Sequence, residues 1–552
     1  MASSAKDYYD LGSYRRRVSA STETSLEWFN RGLIWSYGFN HEEAAKCFQR
    51  AIDNDSNCCM AYWGLAYALG PNYNKPWDFF DAAELEATVQ RTHHAVEQAR
   101  SCAADASPVE KALVEALRYR YPHEHADKDC SIWNQSYAEA MGWVYKDFSD
   151  DLDVAALYVD ALMNRTPWQL WDLQTGQPAS GAHTLEAQAI LERSMAQVGG
   201  SDHPGLLHLY IHLMEMSPTP EAAIDAANTL RDLVPHAGHL NHMPTHIDVL
   251  VGDYQNAIES NQKAIVADDI FFSREEPLKF YTLYRAHDYH FRIYAAMFAA
   301  QSRATLDTVS RLEKALPEQL LRVESPPMAD WLEGFLAMRV HAMIRFGRWQ
   351  DIIDLPFHDD RKLYCVTTAM AHYAKGVAFA ATGRIHEAAE QRELFADTVK
   401  AVPSSRTLFN NKCLDILQVA EAMLDGELEY RRGNYEPAFA RLRRASELSR
   451  ALPYDEPWGW MQPPAHALGA LLTEQGRYDE AVDIYAEDLG MSDKLPRALQ
   501  HRNNVWSLHG YHECLLKLGR VEEAEAVKPQ LDLAVAGADI PIKSSCFCRQ
   551  SP

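Results

Sequence analysis

A glycine followed five positions later by a small apolar residue recurs down this chain, and that spacing admits few structural readings. Gly252 is matched by Ala257, Gly383 by Ala388, Gly433 by Ala438, Gly476 by Ala481 and Gly519 by Ala524. The steps from 433 to 476 and from 476 to 519 are both 43 residues. Gly347 with Ile352 is a degenerate copy, and Gly38-Phe39-Asn40-His41-Glu42-Glu43-Ala44 keeps the rhythm with one extra residue. Between these marks apolar residues fall at helical period. Alternating runs of Val, Ile and Thr with two-residue glycine turns are nearly absent. Glycine tolerates the left-handed backbone that closes a helix, and a small residue early in the next helix lets the two approach closely. The chain therefore reads as helix-turn-helix units in series.

This punctuation, clearest over 27–70 and 340–530, resembles the tetratricopeptide repeat (TPR). The resemblance implies an all-α fold: a helix-turn-helix repeat solenoid, TPR-like and superhelical with right-handed sense, with irregular helical insertions. The insertions fall over 75–240, where Asn164-Arg165-Thr166-Pro167 and Gln174-Thr175-Gly176-Gln177-Pro178 read as their turns. A repeat array lengthens without subdividing, so 552 residues need not mean several globular domains. The expected order is an N-terminal extension (1–25), a first TPR-like array holding the histidine-rich site (26–330), C-terminal repeats (331–545) and a tail (546–552). Such arrays present surfaces to protein partners, which makes a non-catalytic interaction scaffold one functional reading.

Hydrophobic residues at 47% suffice for a large core and exclude wholesale disorder. A net charge of −24 argues against binding nucleic acid or coating an anionic membrane. The short runs Arg15-Arg16-Arg17 and Arg441, Arg443, Arg444 read as solvated surface. Ten cysteines form no disulfide ladder; the close pairs, Cys58-Cys59 and Cys546-Cys548, have spacings that rarely bridge. No run of about 18 apolar residues marks a membrane span, and the start lacks the apolar segment of a secretory leader. A soluble protein of the reducing cytoplasm is the expectation.

The histidines are unevenly spread. Of 23, seven lie between positions 203 and 246: His203, His208, His212, His236, His239, His242 and His246. His208 and His212 stand at i, i+4 in the apolar run Leu206–Met216, and Glu215 at i+7 continues the same face. His242 and His246 form a second pair, with His239 three residues earlier. Pro244 favours a helix start, which puts His246 in a first turn and His239 and His242 in the approach loop. A helix over Pro220–Val234 would bring the two sets side by side. One histidine on a helix face is ordinarily a hydrogen-bonded structural residue, and a buried polar network is the competing explanation here. Two HxxxH pairs with a carboxylate in register point instead to a metal site on His208, His212, His242 and His246. His290, from His287-Asp288-Tyr289-His290, is a further candidate ligand. Glu215 and His239 are candidates for a further ligand or proton shuttle. HLYIH and HMPTH lack the glutamate of a zincin. Imidazole ligation suits copper or iron, or zinc, and not magnesium or calcium.

The chain also resembles a group of long TPR-like proteins of bacteria and fungi. The residues carrying this are Tyr37–Ala44, Trp63-Gly64, Gly70-Pro71-Asn72-Tyr73-Asn74, Ala161–Asn164 with Pro167-Trp168, and His203-Pro204-Gly205. They continue with Tyr210-Ile211-His212, Ala237-Gly238-His239-Leu240-Asn241-His242-Met243-Pro244-Thr245-His246-Ile247, Asn504–Leu508 and Ala538–Pro541. The likeness implies one long solenoid with these polar motifs facing inward, and no particular activity. His41, Asn72, Asn74, Trp168, His203 and Trp506 then read as the lining of a small-molecule pocket. The functional expectation is a metal-dependent oxidoreductase acting on a small organic substrate, with copper or iron as cofactor. The alternatives are a scaffold engaging a protein partner through the TPR surface and a zinc-dependent hydrolase.

Overall fold

A computed structural model describes residues 8–276 and 280–550. The regular structure of the described chain is nearly all helix; the named strands are the two-residue pair Thr407–Leu408 and Asn411–Lys412, antiparallel with Thr407 opposite Lys412. No described helix is long and apolar enough to cross a membrane.

The helix-turn-helix reading holds at the level of single torsion angles. Gly252, Gly347, Gly383, Gly433, Gly476 and Gly519 all have φ between 61° and 82°. In each turn the next N–H bonds the carbonyl five residues back, as Arg477 N–H does to Leu472 O at 2.9 Å and Arg520 N–H to Leu515 O at 2.9 Å. That is the Schellman closure, which satisfies carbonyls a helix end otherwise leaves open. The residues five positions on, Ala257, Ile352, Ala388, Ala438, Ala481 and Ala524, are all 0% exposed.

Two further turns have the same geometry without glycine. Phe39, not Gly38, takes the left-handed conformation (φ 54°, against −91° at Gly38), and Asn40 N–H bonds Trp35 O. Counting from Phe39, Ala44 returns to five positions, so the extra residue disappears. Ala300 (φ 52°) closes the helix Thr282–Phe298, Gln301 N–H bonds Ala296 O, and buried Thr305 stands in the alanine position.

The chain divides into two units. The first comprises 1–247 with 263–281, the second 248–262 with 282–552; the sequence placed its division at 330/331. In the first unit, Phe48 of helix His41–Asn54 packs on glycines of both flanking helices. A Cβ on Gly32 would lie 2.8 Å from its ring, and one on Gly64 closer still. The second unit repeats the device. Tyr485 of helix Tyr478–Asp488 fills notches at Gly469 and Gly510, and a Cβ on Gly469 would stand 2.5 Å from its ring. The inserted region of the first unit carries the 21-residue helix Ala82–Cys102 and a helix-free stretch where Trp171 bridges Pro178.

Two expectations are corrected. Arg16 is not a solvated cation: its side chain, 9% exposed, pairs with Asp151 and Asp153 at 2.7 Å each. That bridge ties the N-terminal strap to the start of helix Leu152–Met163. Cys546 and Cys548 are joined as a disulfide, because the turn at the chain's end brings the two sulfurs together despite the two-residue separation.

Candidate metal centre

The helix Pro204–Met214 is wholly buried, and its sequence sets two histidines one turn apart on one side. It starts on His203, whose Nδ1 accepts the N–H groups of Gly205 (3.1 Å) and Leu206 (3.2 Å), so the ring is the N-cap. With Nδ1 an acceptor, Nε2–H donates to Asp153 Oδ1 at 3.3 Å, and the rings of Tyr14 and Tyr37 flank it. Burial alone would raise the Asp153 carboxyl; His203 and Arg16 bring it below the usual carboxylate range. Both nitrogens of His203 are thus committed to structure.

His208 donates Nδ1–H to the carbonyl of Tyr37 at 2.6 Å, a group the end of helix Glu23–Tyr37 leaves without an intrahelical partner. Its Nε2 therefore carries the lone pair, 3.1 Å from Nε2 of His239. His212 donates Nδ1–H to Glu215 Oε1 at 3.0 Å, and its buried Nε2 has no hydrogen-bond partner among the described residues. The other oxygen of Glu215 accepts Nδ1–H of His246 at 2.5 Å. One buried carboxylate therefore fixes the tautomer of two histidines and turns both Nε2 atoms away from itself. Glu215 stands behind two candidate ligands, in the arrangement that carboxylates take behind metal-bound imidazoles elsewhere.

His239 and His242 do not lie in a loop. They stand on the short helix Gly238–His242, because Asn241 donates to the carbonyls of Val234, Pro235 and Ala237 and winds the segment tightly. Gly238 packs closely there: a Cβ would fall 2.8 Å from the carboxyl carbon of Asp268, so that side chain would have to shift. Pro244 opens the next helix, with His246 in its first turn and its Nε2 2.7 Å from Nε2 of His242. The five rings form a continuous chain. Centroids are 4.8 Å apart for His208–His212, 4.9 Å for His208–His239, 5.8 Å for His239–His242 and 4.8 Å for His242–His246. One nitrogen each from His208, His212 and His239 lies within 4.8 Å of the others.

Burial pushes His212 down to about 3 and, with the neighbouring His212, holds His208 well below the ordinary histidine value. Both rings are therefore neutral near pH 7, the form that binds a metal.

The aromatic wall was not legible as such in the sequence. Phe39 packs on His208 (4.5 Å) and stacks on His212 (5.8 Å) and His239 (5.6 Å). Tyr73 lies on His212 (4.9 Å), and its hydroxyl accepts the Trp168 N–H at 3.1 Å. Phe39 and Trp168 both have φ of 54°, a strained conformation for bulky residues and one that concentrates at functional sites. Trp168 thus joins the wall through Tyr73. His41 lies behind it, 6.2 Å from the Phe39 ring, with burial lowering it to about 3. Asn72 closes its own turn, accepting the N–H groups of Asn74 and Lys75 at 2.9 Å each. His290 and Trp506 belong to the second unit. There His290 Nε2 meets Met461 Sδ at 2.9 Å and Trp506 donates to the Met297 carbonyl at 2.7 Å.

The chain matches no protein-family pattern, and comparison with curated proteins returns no match. Among solved structures it is similar to yeast Tom70 (12% identity over 93% of this chain and 90% of that one, TM-score 0.28). It is likewise similar to the APC/C hetero-tetramer Cut9-Hcn1 (12% identity over 93% and 86%, TM-score 0.30).

Proposed function

We propose that this helical-repeat protein binds a transition-metal ion in its first unit, on the Nε2 atoms of His208, His212 and His239. The observation that carries the reading is the orphaned, fully buried Nε2 of His212, aimed beside two other imidazole nitrogens. A buried nitrogen with no partner is costly unless something fills the place. Two imidazole nitrogens on one tetrahedral ion stand about 3.3 Å apart, and His208 and His239 are at 3.1 Å. The donor set is all imidazole, which suits copper, iron or zinc. Copper or iron would make the protein an oxidoreductase, the reading we favour for an ion walled by aromatic rings; zinc would make it a hydrolase.

The test is elemental analysis of tag-free protein expressed with metal supplementation. At least one ion per chain is expected, with most of it lost in His208→Ala/His212→Ala. A visible absorption band separates copper or iron from colourless zinc. Trace metal unchanged by the double substitution would overturn the proposal. It would leave the second reading, an interaction scaffold, which the regular turns from Gly347 to Gly519 favour.

A further inference from the structure

Around Tyr67, inside the first unit, an arginine and an aspartate are buried without pairing. Arg120, just past the helix Pro108–Leu117, is 1% exposed, and Asp160, on the helix Leu152–Met163, is 3% exposed. The Tyr67 ring lies 4.9 Å from the guanidinium carbon, and its hydroxyl donates to Asp160 Oδ2 at 2.8 Å. Arg120 Nη2 donates to the Pro71 carbonyl at 2.6 Å. Among the described residues, Arg120 Nε and Nη1, Asp160 Oδ1 and the Tyr121 hydroxyl have no hydrogen-bond partner.

We infer that this cluster is a buried binding site for a small dipolar acid, an amino or hydroxy carboxylic acid, whose carboxylate meets Arg120 and whose own donor meets Asp160. Opposite charges this deep ordinarily close on one another, because each is costly to leave without compensation. Here the Pro71 carbonyl fixes one and the Tyr67 hydroxyl the other, and each keeps polar atoms to spare. An anion alone would satisfy Arg120 and repel Asp160; a cation alone would do the reverse. A ligand with both ends answers both.

The tyrosines fit that division. The rings of Tyr67 and Tyr137, the latter 4.8 Å from the guanidinium carbon, ease its charge through their faces but supply no oxygen acceptor. Tyr121, its ring 5.9 Å from the same carbon, is pushed up to about 12 by burial, with Arg120 opposing. Its hydroxyl therefore keeps its proton and adds a donor at the carboxylate end. Burial also raises the Asp160 carboxyl while Arg120 lowers it, so the two charged groups feel one another without touching. The cluster shares no residue with the histidine centre, and either site can fail alone.

The experiment uses the full-length chain freed of metal by chelator. Native mass spectrometry first asks whether purified protein retains a small acid. Calorimetry then compares glycine and glycolate with acetate, which lacks the donor, and glycinamide, which lacks the carboxylate. Glycine or glycolate is expected to bind, with acetate and glycinamide at least about 10-fold weaker. Tyr121→Phe, which removes one hydroxyl, is expected to weaken binding roughly 10-fold. The wild-type comparison needs no variant to fold, and a retained acid identified by mass supports the site directly. Polypeptide mass alone with none of the four probes bound would overturn the inference, leaving water to serve these atoms. Acetate binding as tightly as glycolate and glycine, a retained neutral molecule, or an affinity unchanged in Tyr121→Phe would overturn it as well.

Discussion

At the scale of single residues the centre is a tautomer problem. An imidazole offers a metal whichever nitrogen its other hydrogen bond leaves bare, and here the Tyr37 carbonyl and the Glu215 carboxylate make that choice for His208, His212 and His246. The same burial has a consequence for stability. His212 and His41 sit near 3 when folded, as do His290 and His341 in the second unit, while an unfolded histidine titrates near 6.5. Each depressed pKa means the unfolded chain binds more protons. Stability is therefore intact above about pH 6.5 and falls as pH drops toward 3, by about 1.4 kcal/mol per pH unit for each such ring. The buried carboxyls Asp160, Glu333 and Glu427, raised by burial, act in the opposite direction. The histidine contribution is isolated by comparing urea unfolding of chelator-treated wild type and His212→Gln between pH 7.5 and 5. The variant is expected to show a shallower decline, by up to about 1.4 kcal/mol per unit. Parallel profiles would refute the assignment of a neutral buried ring.

At the scale of elements, eight turns share one backbone geometry but do not tolerate change equally. A Cβ on Gly476 (φ 72°) meets nothing within 4 Å, so Gly476→Ala carries only the left-handed strain of about 1–2 kcal/mol. Gly252 (φ 81°) packs on the Arg502 backbone, where a Cβ would lie 2.8 Å from the carbonyl carbon and closer to its oxygen. Gly252→Ala is expected to cost at least twice as much in denaturant unfolding; equal losses would count against the packing argument. These turns also mark what the sequence could tell. Glycine at a left-handed position followed by a small residue is a local rule, visible in one chain. The turns at Phe39 and Ala300 obey the same geometry with other residues, so the pattern assigned the first to Gly38 and passed over the second. The glycine notches under Phe48 and Tyr485 were hidden for another reason: knob and notch lie on different helices. The centre divides the same way. The two HxxxH pairs are local and were readable, as was the helix start at Pro244. The Tyr37 carbonyl and the Phe39 and Tyr73 rings reach His208 and His212 across well over a hundred residues of chain, and the role of Glu215 turned on His246 thirty-one residues away. The segment before Pro244 wound into a helix because Asn241 found three carbonyls, a hydrogen-bond pattern that residue types do not announce.

At the scale of the whole molecule, the −24 charge still argues against a nucleic-acid partner and is silent about a buried centre. More telling is how the chain is shared between its units, because helix Tyr254–Phe272 begins in the second and ends in the first. The second unit, though mostly downstream of 282, is built on residues 248–262. Arg497 donates to the Leu250 carbonyl at 2.7 Å, Tyr254 donates to the Arg502 carbonyl at 3.0 Å and stacks on Phe298 at 5.4 Å, and Gln301 donates to Gln255 at 2.8 Å. Tyr254 is 5% exposed, and removing a buried aromatic of that size costs roughly 3–5 kcal/mol, a large part of the stability of any domain. A cut at 281/282 therefore falls between the units and yet leaves the second incomplete. A fragment spanning 282–552 is expected to melt well below one spanning 248–552, or to aggregate, with Gly252 and Tyr254 as the residues whose loss matters. Adding the 248–262 segment in trans as a peptide should restore part of the difference. Identical melting temperatures and sedimentation for the two fragments would show that the second unit closes its core without that segment.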